Sequence, residues 1–179
     1  MTDDTALVAA LEAIQSRGAI GESSISRAIE HAEQYVRKVP ATAGTLVDLG
    51  SGGGLPGLVI AVRCPSLLIT LVERRATRAD LLRRAVHALD LADRVTVVAD
   101  DVKVLADRSP GSFDVVTARS FAAPHITAKW ASVLLQPDGV LVVSEPPEDD
   151  PRRWPAPMLA SVGLTDCGRD EGVRVFRRL

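Results

Sequence analysis

Five short apolar runs punctuate this chain: TLVDLG at 45–50, LLITLVE at 67–73, VTVVAD at 95–100, FDVVTAR at 113–119 and GVLVVSE at 139–145. Strands apolar on both faces must be covered on both faces. Stretches with helical spacing lie between them; one is 77–91, with Leu81, Leu82, Ala85, Val86 and Leu89. The pattern predicts a doubly wound, mostly parallel α/β sheet with helices on either side. GVRVF at 172–176 reads as one more edge strand. SEPPEDDPRRWPAP at 144–157, with five prolines and no periodicity, reads as a long loop.

Ahead of the sheet, Leu7, Leu11 and Ile14, then Ile25, Ile29, Ala32 and Val36, repeat at helical spacing until Pro40. Residues 1–40 are therefore expected to form a helical arm and 41–179 one ligand-binding domain. A chain of 179 residues buries enough surface to need neither disulfide nor structural metal, and Cys64 and Cys167 form no paired motif. No metal site is expected. The acidic start MTDDTALVAA lacks the order of a signal peptide, and no apolar run could span a bilayer, so a cytoplasmic protein without membrane contact is expected. The net charge of −2 excludes an overall positive field that would recruit nucleic acid, and DNA is not an expected partner. The bases are 18 Arg to 3 Lys, a bias that suits phosphate recognition and equally reflects codon preference in a GC-rich genome.

The chemistry concentrates in VDLGSGGGLPG, residues 47–57. Gly50, Ser51, Gly52, Gly53 and Gly54 follow the first strand and precede a helix, so a side-chain-poor turn stands where ligands of such sheets bind. Gly52, Gly54 and Gly57 satisfy G-x-G-x-x-G, which brings in a nicotinamide enzyme as a rival. Asp48 opposes that reading, because a carboxylate ending the strand repels a pyrophosphate but suits an ammonium or sulfonium, as in S-adenosylmethionine. Glu73, at the end of the second strand, can accept ribose hydroxyls of either ligand. The only tyrosine, Tyr35, lies in the helical arm and not beside a catalytic lysine of the sheet domain, so hydride chemistry lacks visible residues.

VDLGSGGGLPG, LVERRATRADLL at 71–82 and FDVVTARSFA at 113–122 together resemble the motifs of the RsmG family, also called GidB. That family methylates the position-seven nitrogen of a guanine in small-subunit (16S) ribosomal RNA. The resemblance covers roughly 44–143 and implies a Rossmann-like class I methyltransferase fold that uses S-adenosylmethionine. By position it implies that Gly50 and Leu55 line the methionine and ribose end; Asp48, Ser51 and Gly52 of the same turn join them as cofactor-binding candidates. Glu73, with Arg74 beside it, takes the ribose hydroxyls, and Asp101, Val102 and Lys103 flank the adenine, the last two through backbone groups. Arg119 stands next to cofactor and target base. From the residues alone, Arg119 could equally form a salt bridge to Asp48 or Asp114.

The likeness fails on the substrate side. Glu145 stands where the family has a lysine; an exposed carboxylate there repels RNA phosphate by about 1–4 kcal/mol. The family's upstream histidine motif is missing, since GAIGESS at 18–24 offers Glu22 and Ser23 but no histidine. A small-molecule methyltransferase and a non-catalytic cofactor-binding module therefore remain alternatives to an rRNA enzyme. Ser144, Pro146 and Pro147 mimic an amino-methyltransferase signature after the wrong strand and read as a loop start. His125 is a candidate general base and also a plain helix-start histidine. Arg74, Arg75, Arg78, Arg83 and Arg84 form either a basic face for RNA or a solvated helix surface. Trp130 reads as core, and Trp154 as a cover for the cofactor pocket or a stacking platform.

Overall fold

The computed structural model describes residues 4–21 and 23–179; Glu22 lies outside them. Two helices lead, α1 (Asp4–Gln15) and α2 (Ile25–Val36). There follow β1 (Thr45–Leu49), α3 (Gly57–Arg63), β2 (Leu68–Val72), α4 (Ala76–Ala88), β3 (Val95–Val98), α5 (Val102–Arg108) and β4 (Phe113–Ala118). The chain continues through α6 (Pro124–Leu134), β5 (Leu135–Ser144), α7 (Ala156–Ser161), β6 (Leu164–Asp170) and β7 (Val173–Arg178). The sheet order is β3-β2-β1-β4-β5-β7-β6, parallel from β3 to β5 and antiparallel at β7 and β6. Four of the five apolar runs each contain a whole strand, and the fifth, 139–145, holds the second half of β5, which begins earlier at Leu135.

Two features differ from the sequence expectation. β7 is not an edge strand: it lies between β5 and β6, pairing Val142 with Val175 and Asp166 with Phe176. The edge on that side, β6, is LTDCGRD, in which Leu164 alone is buried, so no apolar run announced it. An edge strand bonded on one side and wetted on both faces carries little hydrophobic signal.

Helices cover both faces of the sheet. One core layer joins Leu46, Ile69, Leu71 and Val115 to α1, α2, α3 and α4; the other joins Val47, Leu49, Val116 and Leu141 to α5, α6 and α7. The two leading helices thus belong to the packing of the sheet. Tyr35 of α2 is wholly buried and its hydroxyl donates to the carbonyl of Ala118, at the end of β4, at 3.2 Å. Among the described residues, no helix is long and apolar enough to cross a membrane.

Strand order reverses between β1 and β4, which lie side by side in the middle of the sheet. A crevice opens at the carboxyl ends of such a pair. The register Asp48↔Thr117 and Leu49↔Ala118 brings Gly50 and Arg119 out of the sheet side by side.

Candidate functional site

The turn after β1 needs its glycines for two different reasons. Gly50 (φ +65°) and Gly52 (φ +54°) are in the left-handed region, which permits the chain to double back without a Cβ penalty. Gly53 and Gly57 are glycines because neighbours fill the space. A Cβ on Gly53 would lie 2.3 Å from Ile20 of the 17–20 turn, and one on Gly57 would lie 2.4 Å from Leu71 and 2.9 Å from Asp48 Oδ2. The G-x-G-x-x-G spacing therefore serves close packing of α3 on the sheet as much as any ligand.

Glu73 braces this turn from the end of β2. Its Oε2 accepts from the Gly52 amide at 3.0 Å and its Oε1 from the Arg75 amide at 2.8 Å. Each oxygen keeps a further acceptor site. Glu73 also walls a cavity of about 490 Å³, together with Gly50, Arg74, Asp101, Val102 and, from α6, Trp130. That volume falls in the range of small-molecule and cofactor sites. All of these but Trp130 are residues for which the sequence predicts cofactor contact: Gly50, Glu73, Arg74, Asp101 and Val102.

The remaining candidates lie elsewhere. Ser51 is buried below the turn, its hydroxyl donating to the Asp48 carbonyl at 3.0 Å. Leu55 packs into the core beside α1 to α4. The Lys103 side chain points outward to Asp107 at 2.7 Å, while its amide is capped by Asp101. Gly52, bonded to Glu73, lies beside the cavity without walling it.

Asp48 and Arg119 form the unusual pair. Asp48 is 1% exposed; Oδ1 accepts from Thr117 Oγ1 at 2.7 Å, and Oδ2 has no hydrogen-bond partner. Burial pushes its pKa up to about 6, against the pull of Thr117, weaker polar contacts from Ser51 and Gly57, and the Arg119 charge. Arg119 is half-buried with Nη1 unbonded, and it forms no ion pair with Asp48. Asp114, the other expected partner, is taken up by the Gly44 and Thr45 amides at 2.8 Å. Burial and the Arg119 charge depress the pKa of nearby His31. Two ionisable side chains of opposite sign thus end adjacent strands, each with an unsatisfied buried atom. Such atoms cost free energy unless a ligand or water meets them.

Two wall residues were not foreseen as such. Trp130 packs against the core beneath α6 and is at the same time half-buried in the cavity wall, with Lys129 Nζ 4.9 Å from its ring centre. Phe121 stands over the turn, 2.8 Å from where a Gly50 Cβ would be. The preceding Ser120 has φ +52°, a strained value for a side-chain-bearing residue, and this kink turns Phe121 back across the end of β4.

A second cavity, of about 300 Å³, adjoins the first at the ends of β4 and β5, and Ser120, Phe121 and Ala122 line both. Trp154 lines this second cavity, so it does not cover the first. It is 7% exposed, its ring 4.6 Å from Phe176, and its Nε1 donates to Glu145 Oε1 at 2.8 Å. Glu145 also departs from expectation. Its side chain is wholly buried, receives Arg153 Nε at 3.2 Å and faces Arg174 Nε at 3.9 Å. The negative charge is therefore neutralised inside the protein instead of facing an RNA phosphate. His125 is exposed at the start of α6 and lines neither cavity.

A doubly wound sheet of order 3-2-1-4-5-7-6, with its crevice at the β1/β4 reversal, defines the class I methyltransferase architecture. Solved structures that share it include cofactor-bound Rv0187 from MTB, 20% identical with a TM-score of 0.69 over 98% of this chain and 90% of that one. Another is geranyl diphosphate methyltransferase in complex with GPP and sinefungin, 15% identical with a TM-score of 0.67 over 84% of this chain and 78% of that one. Residues 11–147 match the GidB family, rRNA small subunit methyltransferase G, and the chain belongs to that family. Relatives named ribosomal RNA small subunit methyltransferase G include that of Salinispora tropica, 46% identical over 102 residues, or 55% of this chain and 42% of the relative. That of Rhizorhabdus wittichii is 42% identical over 106 residues, 55% of this chain and 48% of the relative. The chain spans about half the length of the curated relatives it matches.

Proposed function

We propose that this chain is a cytoplasmic, S-adenosylmethionine-dependent methyltransferase acting on a guanine ring nitrogen of small-subunit ribosomal RNA. The observation that carries the cofactor assignment is Asp48: a buried carboxylate with one unpartnered oxygen, at the β1/β4 reversal, suits a cationic guest and disfavours a pyrophosphate. Arg119, unbonded beside it, suits the carboxylate of the same amino-acid-bearing guest. In this reading Glu73 accepts ribose hydroxyls, with Arg74 at the cavity mouth. Asp101 and Val102 border the adenine, with Lys103 behind them, its amide held by Asp101, while Gly50, Gly52 and Ser51 shape the turn and Leu55 supports it from below.

The bound cofactor supplies an activated methyl group on a sulfonium. The protein's task is then to hold the acceptor atom in line with it and to exclude competing geometry. The second cavity, separated from the first by Phe121, is where the acceptor base fits, between Phe121 and the ends of β4 and β5. A guanine ring nitrogen carries a free lone pair and needs no general base. That agrees with Glu145, which lines the second cavity, being engaged there by Arg153 and Trp154, and with His125 lying outside both cavities.

The test is methyl-label transfer from S-adenosylmethionine to small ribosomal subunits, to naked rRNA and to a metabolite extract. Label at a guanine in the RNA supports the proposal. Label in the extract alone replaces it with a small-molecule enzyme, and cofactor binding without transfer to any acceptor replaces it with a silent binding module.

A further inference from the structure

Nine of the 18 arginines hold a carboxylate or a carbonyl: Arg37, Arg63, Arg83, Arg94, Arg152, Arg153, Arg169, Arg174 and Arg178. Of the others, Arg17, Arg74, Arg75, Arg78 and Arg84 stand together with no side-chain partner among the described residues. Arg74, Arg75 and Arg78 edge the larger cavity. Arg17, Arg78 and Arg84 edge a neighbouring groove of about 360 Å³, between the turn after α1 and the outer face of α4. Arg78 belongs to both walls, so the groove runs into the cavity mouth. Among the described residues Asp80 is the one acid in the groove wall, and it is already engaged by Arg83 at 2.7 Å.

We infer that this groove docks the sugar-phosphate backbone of the RNA that enters the adjoining site. The inference rests on the rRNA methyltransferase reading and deepens it. A chain with a net charge of −2 has no overall field to hold RNA, so a local cluster of unneutralised guanidinium groups must do so. Guanidinium matches phosphate in a two-pronged geometry that ammonium lacks. Within the groove, from Arg78 to Arg84, the helix advances about 9 Å at ~1.5 Å per residue. Strand phosphates recur every ~3.4 Å along a duplex axis, so the row can follow several of them. The loop after β5 cannot serve this purpose at Glu145, whose charge is consumed by Arg153 and Arg174. The cations have a different address in this chain: the α1–α4 side, where the leading helices meet the sheet domain.

Arg17 and Arg84 lie outside the cofactor cavity and can be changed without touching it. The experiment compares the full chain with the double variant Arg17→Gln/Arg84→Gln and with Arg27→Gln/Arg177→Gln. The latter pair are exposed arginines, also without side-chain partners among the described residues, that remove the same charge elsewhere. Binding of a small-subunit rRNA transcript is titrated across a salt series, and S-adenosylhomocysteine binding is measured calorimetrically on each protein. The groove variant is expected to lose roughly ten- to a hundredfold in RNA affinity and to show a log–log salt slope shallower by about 1.5, at ~0.7–0.9 per phosphate contact. Its S-adenosylhomocysteine affinity stays unchanged, and the control pair keeps most of its RNA affinity. Equal losses in both double variants, or no loss in the groove variant, overturn the inference while leaving the methyltransferase reading intact. Loss of anionic-vesicle binding in place of RNA binding overturns it as well. Failure of the unmodified chain to bind S-adenosylhomocysteine instead refutes the reading on which the inference stands.

Discussion

Replacing Asp48 by Asn removes the charge proposed to face the cofactor while keeping the acceptor for Thr117. The carboxyl has a pKa of about 6 in the folded protein against an ordinary 3.8. A raised pKa means that the folded state binds the proton more tightly than the unfolded state. Stability associated with this group is thus fully present below pH ~3.8 and is lost as pH rises through about 6. The complete loss is about 3 kcal/mol at pH 8, and roughly half of that is already incurred at pH 5. The side chain is fully buried, so solvent screening takes little away. The carboxamide of the Asp48→Asn variant does not titrate. Chemical unfolding of both proteins from pH 5 to pH 8 should show the advantage of the variant growing by about 1–2 kcal/mol. The new amide Nδ2 brings a constant desolvation cost that shifts the whole difference without changing its slope. The variant should also bind S-adenosylhomocysteine at least tenfold more weakly at pH 8. Parallel stability curves, or an unchanged affinity, would show that Asp48 is not a strained anion awaiting a cation.

Two further substitutions follow from the same geometry. Gly50→Ala places a Cβ at φ +65° and 2.8 Å from Phe121, so it should destabilise the fold by about 1–3 kcal/mol in urea unfolding and weaken cofactor binding in calorimetry. Glu145→Lys, which restores the residue usual in the family, should destabilise by about 3–5 kcal/mol, because it sets a buried cation against Arg153 and against Arg174, which Asp149 and Asp166 also hold, and leaves Trp154 Nε1 without its acceptor. By thermal melting that amounts to a fall of roughly 10 °C, and a variant as stable as the parent would refute the buried network.

What could be read from the chain depended on how strongly burial marked it. The β1 turn was legible because Gly50 and Gly52 need backbone angles that few residues tolerate, and β1, β2, β4 and β5 because both of their faces are covered; β3, at the sheet's other edge, was legible from its β-branched run VTVV, in which Val95 alone is fully buried. β6 was not, because Thr165, Asp166 and Asp170 are exposed edge residues. The residues that wall the cavity divided similarly. Glu73, Asp101 and Val102 sit at fixed offsets from strand ends and could be named. Phe121 and Trp130 reach the cavity only through the kink at Ser120 and the path of α6, which no local pattern encodes. Ser120-Phe121, directly after the Thr-Ala-Arg ending of β4, was the available clue. Glu145 was misjudged because sequence displays a charge but not its counter-ions: Arg174 approaches it from a strand 29 residues away.

The most direct measurement is calorimetric titration of the full chain with S-adenosylhomocysteine and, separately, with NADH. A single saturable site for S-adenosylhomocysteine, weakened in Asp48→Asn, and no heat from NADH is the expected result. Saturable binding of NADH with none of S-adenosylhomocysteine would contradict the assignment of the β1 turn to a cationic nucleoside.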